Sequence, residues 1–357
     1  MRSHASEDAT ALTPPDAGVA SPPPAKRRRF RPRIRNSVPI WVATIALFVV
    51  SRVAEPQSLS HSSLQGMLPF AGILALVAVG QTLVIQQGGI DLSVPGVISL
   101  TVIICTVIPN GDSGKLGIAV VIAYGAALAA GLLSGFCVSV IGITSIVTTL
   151  GMNALLYGFD LKISGGTPTN TTAALNSFAT GKVAGVPVAV VVAVVVTAIA
   201  ALVIKRTVIG RRFEAAGASP AAARAAGIRV RAQQLGGYVA ANLLYCTAGV
   251  LLAGIVTSPS AFQGDSYLLP SVAAVVLGGT SLLGGRGYVV ATAVAALFLS
   301  QLDQVVLITG VSSAVQNLIE AAALAIGLAS YGIPWARLRS LRQAGPIRSP
   351  SPPAPHA

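Results

Sequence analysis

The chain has 357 residues, 53% of them hydrophobic and 10% charged, with a mean hydropathy of +0.75. Soluble domains carry about 25% charged residues because their surfaces face water, so this composition excludes a water-soluble globular protein and makes lipid the solvent for most of the chain. The formal charge of +13 sits in short clusters at the ends of apolar runs, the pattern of positive-inside anchoring, which argues against a nucleic-acid groove.

Residues 1–25 are rich in Ser, Pro, Ala and Asp and lack an apolar core, so they read as a tail and not as a signal peptide. The basic run from Lys26 to Arg35 follows and abuts a hydrophobic segment, where it serves as a topological anchor that favours anionic membrane lipid. Residues 1–37 are therefore expected to be a disordered basic cytoplasmic tail. Residues 334–357, again basic and Pro-rich, are expected to be a second.

A membrane helix needs about 20 mostly apolar residues. Ten candidate spans follow in order: 38–54, 66–86, 93–109, 116–141, 145–163, 183–204, 233–256, 268–283, 287–309 and 311–333. The eighth is short and Gly-rich, and a re-entrant segment is the alternative there. The expected fold class is all-α, a polytopic transmembrane helical bundle over 38–333 with both termini cytoplasmic. With the N-terminus inside, the loops near 87–92, 142–144, 205–232 and 284–286 are cytoplasmic, and of the 24 Lys and Arg only Arg52, Lys115, Lys162 and Lys182 remain outside. Small residues recur within the spans, as in Gly125 to Gly131 to Gly135, and let helices approach closely in a bundle. Cys105, Cys137 and Cys246 each lie inside an apolar run without CxxC spacing and read as small packing residues.

The first interruption runs from Gln86 through Gly88-Gly89-Ile90-Asp91-Leu92-Ser93 to Pro95. Gly88-Gly89 ends one helix, and Asp91 or Ser93 caps the next, with Pro95 in its first turn, where a missing donor costs little. A capped interhelical turn accounts for Asp91. A break whose polar backbone faces a cavity or partner subunit is the functional reading.

The segment 205–232 is the largest polar interruption, and it reads as helix. Ser219-Pro220 is a good N-cap and first-position pair, and Gly227 stands where a glycine would stop the short helix that follows. A short Ala-faced helix on the cytoplasmic surface suits a docking element, the alternative being a linker between two halves.

Ionisable groups within the spans are few: Asp160 near an end, Asp303 and Glu320 deeper. Such groups are costly in lipid and imply a protein-lined or water-lined interior. Gln301 and Gln304 share a helix face, with Asp303 pointing elsewhere. Asn153, Tyr157, Asn242, Gln316 and Asn317 add hydrogen-bonding groups suited to a neutral polyhydroxylated solute, or to gluing helices together. No Gly-x-x-x-x-Gly-Lys-Ser/Thr occurs, so the chain is not expected to hydrolyse ATP. His4, His61 and His356 lie outside the spans and far apart, no catalytic set stands out, and no metal or cofactor is implied.

Three segments carry a resemblance: Gly88-Gly89-Ile90-Asp91-Leu92-Ser93; Gly210-Arg211-Arg212-Phe213-Glu214-Ala215-Ala216-Gly217 through Ala221 to Ile228; and Ala273-Ala274-Val275-Val276-Leu277-Gly278-Gly279-Thr280-Ser281 through Gly287. Over about residues 40–333 the sequence resembles the permease family of ATP-binding-cassette importers for ribose, xylose, arabinose, galactose and related solutes. The resemblance implies an inner-membrane location, a cytoplasmic ATPase subunit that hydrolyses ATP, a periplasmic or extracellular sugar-binding protein and a second permease copy. It also implies a coupling helix to the ATPase, carried here by Gly210, Arg212, Glu214, Ala215, Ala216, Gly217, Arg224 and Gly227. Candidates for the translocation path or its helix breaks are Gly88, Gly89, Asp91, Ser93, Asn153, Asn242, Gly278, Gly279, Gln301, Asp303 and Gln304.

The chain departs from the family at Pro95, where Gly is common, and at Thr144-Ser145-Ile146, where Pro-Ser-Phe is. It departs again at Leu269-Pro270, where an acidic residue often precedes the third segment. A stand-alone secondary transporter or channel is the competing reading, and a membrane-embedded enzyme lacks a catalytic set.

Overall fold

The computed structural model describes residues 38–167 and 170–310, together with Val315, Leu318, Ala321, Ala322 and Ala325. The two predicted tails lie outside the described residues, as does the tenth predicted span apart from those single positions, with Gln316, Asn317 and Glu320. Among the described residues up to Gly310 twelve α-helices follow one another: α1 Val38–Ala54, α2 His61–Gln86, α3 Val94–Val107, α4 Leu116–Phe136, α5 Ser145–Ser164, α6 Ala173–Ala179, α7 Val188–Arg206, α8 Val208–Ala218, α9 Pro220–Ala225, α10 Val230–Ile255, α11 Leu268–Leu277 and α12 Val289–Ile308. A π-helical turn, Cys137–Ile141, extends α4, and a 3-10 turn, Asp265–Tyr267, leads into α11. The all-helical expectation misses one ribbon, β1 Lys182–Val183 and β2 Val186–Pro187, an antiparallel pair in the loop between α6 and α7.

α2 is the axis of the bundle. Every residue from Ala71 to Gln87 is buried, because α7, α10, α11 and α12 pack around it. α10 is the second inner helix and carries α3 and α4 on its other sides. Small residues set these distances: a Cβ on Gly131 or Gly135 of α4 would meet the α10 backbone at Val239 or Leu235, the close approach on which helix association in lipid depends. The outer helices keep large apolar side chains exposed, such as Ile45 and Val49 on α1, Val121 and Leu133 on α4, and Val194 and Leu202 on α7. An apolar surface of this kind suits hydrocarbon. A groove of about 370 Å³ between α2, α7 and α12 is lined by Leu68, Ala75, Val190, Val194, Val294 and similar residues; it offers almost nothing to a polar solute.

Among the described residues five segments are long and apolar enough to cross a membrane: His61–Gln86, Ser113–Ile141, Val188–Arg206, Val230–Ile255 and Val289–Ile308. The other predicted spans fall short of that length or apolarity. α1 has 17 residues and α3 has 14. α5 has the length, 20 residues, but is too polar to join the five. The eighth predicted span, 268–283, is corrected: its helix is the 10-residue α11, about 15 Å long, and ends at Leu277 because Gly279 takes a left-handed turn at φ 86°.

The loops expected on the cytoplasmic side gather at one end of the molecule. Gly285 N–H donates to the Gln86 carbonyl at 2.8 Å, Ile90 N–H donates to Ser145 Oγ at 3.1 Å, and Gln87 Nε2 donates to the Phe213 carbonyl at 2.9 Å. Lys205, Arg206, Arg211, Arg212, Arg224, Arg229, Arg231 and Arg286 belong to this end, and Arg52, Lys115, Lys162 and Lys182 to the other. At the opposite end, Asn176 of α6 donates to the Gly254 carbonyl at 2.9 Å, and Gln65 to Gly185 at 3.3 Å.

Candidate functional site

Two polar breaks interrupt the helices of the bundle, and they meet. In the first, α2 stops in a Schellman turn, with Gly88 N–H donating to the Ile85 carbonyl and Gly89 N–H to that of Val84, and Gly88 at φ 81°. A non-helical segment then leads inward to α3. In the second, α10 ends at Ile255 at the far end, an irregular segment returns inward, and α11 continues to the basic end. The segments touch where Gly264 N–H donates to Ser99 Oγ at 2.9 Å; a Cβ on Gly264 would collide with the backbone of Pro95. The N-termini of α3 and α11 both lie near this point.

Backbone amides inside a bilayer must find partners, because each unsatisfied group costs several kcal/mol. One face of α5 supplies them. Ser145, Thr149, Asn153 and Tyr157 follow one another at i, i+4 spacing, one above the next. Ser145 Oγ accepts Ile90 N–H, Thr149 Oγ1 accepts Leu92 N–H at 2.9 Å, and Asn153 Oδ1 accepts Gly96 N–H at 2.7 Å. Tyr157 donates its hydroxyl to Asp265 Oδ1 and packs edge-to-face against Phe262, centroids 5.1 Å apart. This ladder explains why α5 is too polar for the apolar set.

The capping expectation for α3 is corrected by these contacts. Ser93 is at the N-cap but makes no side-chain cap. Asp91 Oδ1 instead accepts both Ser93 N–H at 2.9 Å and Ser93 Oγ–H at 2.5 Å, a local turn, and the first-turn amide of Gly96 is capped from α5. Asp91 and Ser93 are fully buried. Behind them lies a polar seam: Tyr245 Oη donates to Gln81 Oε1 at 2.9 Å, while Asp91 Oδ2, Tyr238 Oη and the Gln86 amide have no partner among the described residues. A cavity of about 150 Å³ opens beside them, lined by Gln87, Gly88, Gly89, Thr144, Ser145, Gln234 and Tyr238.

The remaining path candidates are dispersed. Asn242 lies buried between α10 and α4, donating to the Tyr238 carbonyl at 2.9 Å in its own helix. Gly278 and Gly279 end α11, and Gly278 lets it approach Thr292 of α12. Gln301, Asp303 and Gln304 sit toward the far end of α12, a helix packed on α1, α2, α7 and α11; Gln301 is buried and the other two half-buried. Asp265 and Phe262 carry no signal of a site in the sequence, since they merely precede an apolar run.

The polar segment 205–232 forms a platform. α8 begins at Thr207, whose Oγ1 accepts Gly210 N–H at 3.1 Å, and Gly210 packs on the α7 carbonyls of Val203 and Ile204. Ser219 caps α9 by accepting Ala222 N–H at 3.4 Å. Gly227, at φ 77°, closes a Schellman turn in which Ile228 N–H donates to the Ala223 carbonyl. Ala216 and Gly217 face the bundle, buried; Arg211, Arg212 and Arg224 are exposed, and Glu214 and Ala215 are half-buried. Burial raises the Glu214 pKa above its ordinary value, with Lys205 acting in the opposite sense. Gly217 lies against the Gln86 carbonyl with no room for a Cβ, and the Gly284–Gly285 turn packs on Gly217 and Ala218. One helix of the platform therefore touches both the end of α2, which leads into the first break, and the turn that follows α11, which ends the second.

Residues 63–328 match the family described as the permease component of a branched-chain amino acid transport system. The chain belongs to this permease family. Its relatives include the ribose import permease protein RbsC of Escherichia coli (strain K12), 32% identical over 293 residues, covering 80% of this permease and 91% of the relative. The fructose import permease protein FruF of Bifidobacterium longum (strain NCC 2705) is 30% identical over 313 residues, 81% and 86% of the two chains. The autoinducer 2 import system permease protein LsrC of an Enterobacter species (strain 638) is 32% identical over 270 residues, 75% and 78% of the two. No solved structure matches the permease. Its several apolar helices fit a multi-pass membrane protein of the ABC sugar-import permease group.

Proposed function

We propose that this permease is the membrane-spanning subunit of an ATP-binding-cassette importer that carries a monosaccharide or related solute across the bacterial inner membrane. A separate cytoplasmic ATPase docks on α8 and α9, a binding protein delivers the solute at the opposite face, and a second permease copy completes the path. The observation that carries this reading is the seat of Gly217 on the Gln86 carbonyl beside the Gly284–Gly285 turn. A push on the platform then reaches both broken crossings at once, which is what alternating access needs from a bistable element.

Within that reading, Arg212, Glu214, Ala215 and Arg224 present the docking face, and Gly210, Ala216, Gly217 and Gly227 fix it to the bundle. Gly88 and Gly89 form the hinge of the first break. Asp91, Ser93 and Asn153 hold the segment past which the solute moves. The relatives' printed cargoes, ribose, fructose and autoinducer 2, support a sugar-like solute.

Glu214→Arg tests the platform: it is expected to abolish ATP-driven uptake and association with the ATPase while leaving the permease folded and inserted. Unchanged association and uptake would remove the docking assignment.

A second reading has one observation in its favour. Asp160, buried, follows Tyr157 by three residues on α5, and Asp265 accepts the Tyr157 hydroxyl; intramembrane carboxylates serve ion-coupled carriers. It predicts uptake driven by an ion gradient without an ATPase and leaves the platform with no role.

A further inference from the structure

The irregular segment before α11 is anchored on one side and open on the other. Gly264 is buried, held by Ser99 and packed on Pro95. Its neighbours Phe262, 48% exposed, and Asp265 turn outward. Tyr157 fixes both, its ring against Phe262 and its hydroxyl on Asp265. Tyr157 stands twelve residues into α5, about 18 Å along a helix of about 30 Å. An exposed carboxylate at that depth cannot face hydrocarbon, so this surface borders water or protein.

The groups gathered there have a definite recognition chemistry. An exposed aromatic face packs against the C–H face of a ring, and a carboxylate accepts hydrogen bonds from hydroxyls. The N-termini of α3 and α11, of 14 and 10 residues, bring the positive ends of two helix dipoles to the same place. The dipoles disfavour a cationic solute and the Asp265 carboxylate disfavours an anionic one, which leaves neutral oxygen-rich groups.

We propose that Phe262, Asp265 and Tyr157 form a mid-membrane contact point for a neutral cyclic polyol, with the solute ring on Phe262 and its hydroxyls on Asp265. This rests on the importer reading and adds the solute's own contacts to it.

Two measurements test it in proteoliposomes holding the permease with its ATPase and binding protein. In the first, Ser266→Cys, beside Asp265 and exposed, is treated with a membrane-impermeant methanethiosulfonate reagent. Labelling above the unsubstituted protein is expected; no labelling means that lipid or protein covers this face and overturns the proposal. In the second, ATP-dependent uptake of radiolabelled ribose and fructose is compared among the wild type, Phe262→Ala and Asp265→Asn. Both variants are expected to lose about tenfold or more in uptake, for Asp265→Asn the scale of one hydrogen bond to a charged group, while still copurifying with the ATPase. Wild-type rates in both variants overturn the contact point and leave the importer reading standing. ATP-dependent uptake of a branched-chain amino acid in place of either sugar overturns the solute class. A wild-type complex with no ATP-dependent uptake at all removes the importer reading first, and this proposal with it.

Discussion

Asn153 caps a helix to which it does not belong: its Oδ1 accepts the first-turn N–H of Gly96 at 2.7 Å, across 57 positions of sequence. The contact lies eight residues into α5, about 12 Å from its start, where water is not freely available to satisfy an amide. Asn153→Leu removes the acceptor and leaves that donor stranded, at a cost of about 1–3 kcal/mol. A lower melting temperature of the purified permease in detergent is expected, together with reduced uptake. Thr149→Val is expected to act in the same direction through Leu92 N–H.

Gly217 predicts a different kind of defect. A methyl group there meets the Gln86 carbonyl, so Gly217→Ala displaces α8 from α2 and from the Gly284–Gly285 turn. Uptake is expected to fall sharply while the ATPase continues to hydrolyse ATP. Gly236→Ala is the control: nothing lies near its added methyl group, and within α10 it is expected to be neutral or to stabilise by about 0.5–1 kcal/mol. Uptake and hydrolysis measured side by side separate the two.

Glu214 gives a pH dependence. Burial raises its pKa above the ordinary value, with Lys205 opposing. The folded state therefore prefers the neutral form, and its contribution to stability is present below the ordinary glutamate range and lost as pH rises through the raised value. Glu214→Gln keeps the neutral form throughout. It is expected to melt above the wild type at pH 7, with the two converging below about pH 4. The same substitution is expected to weaken coupling wherever the partner presents a cation.

The sidedness of the bundle has its own test. Ala225→Cys on α9 and Ser113→Cys at the opposite end, both exposed, are expected to react with an impermeant thiol reagent from opposite faces of sealed vesicles, Ala225→Cys from the cytoplasmic one. Labelling of both from one face would break the alternation of crossings.

Much of this architecture is legible along the chain, for local reasons. The Ser219-Pro220 start and Gly227 stop of α9, and the Gly88 stop of α2, are written in residues that do the work within a few positions. The first break is legible for the same reason, but its cap is not, since the acceptor comes from α5. The signal for it is the spacing Ser145, Thr149, Asn153, Tyr157, which aligns four polar groups on one face of a crossing that otherwise reads as apolar. The eighth predicted span, with a re-entrant segment as its alternative, extends past the helix because hydropathy runs on through Leu282-Leu283, whereas the backbone of Gly279 ends the helix. Asp265 precedes that apolar run and reads as a loop residue; only folding brings it beside Tyr157. Gln301, Asp303 and Gln304 show the converse: periodicity says which of them share a face, but not that α12 carries them toward the far end.

The direct test of the account is solute uptake by the purified permease in sealed proteoliposomes, with and without its nucleotide-hydrolysing partner. Accumulation is expected only when that partner, ATP and the binding protein are all present. Accumulation by the permease alone, driven by an imposed ion gradient, would contradict it.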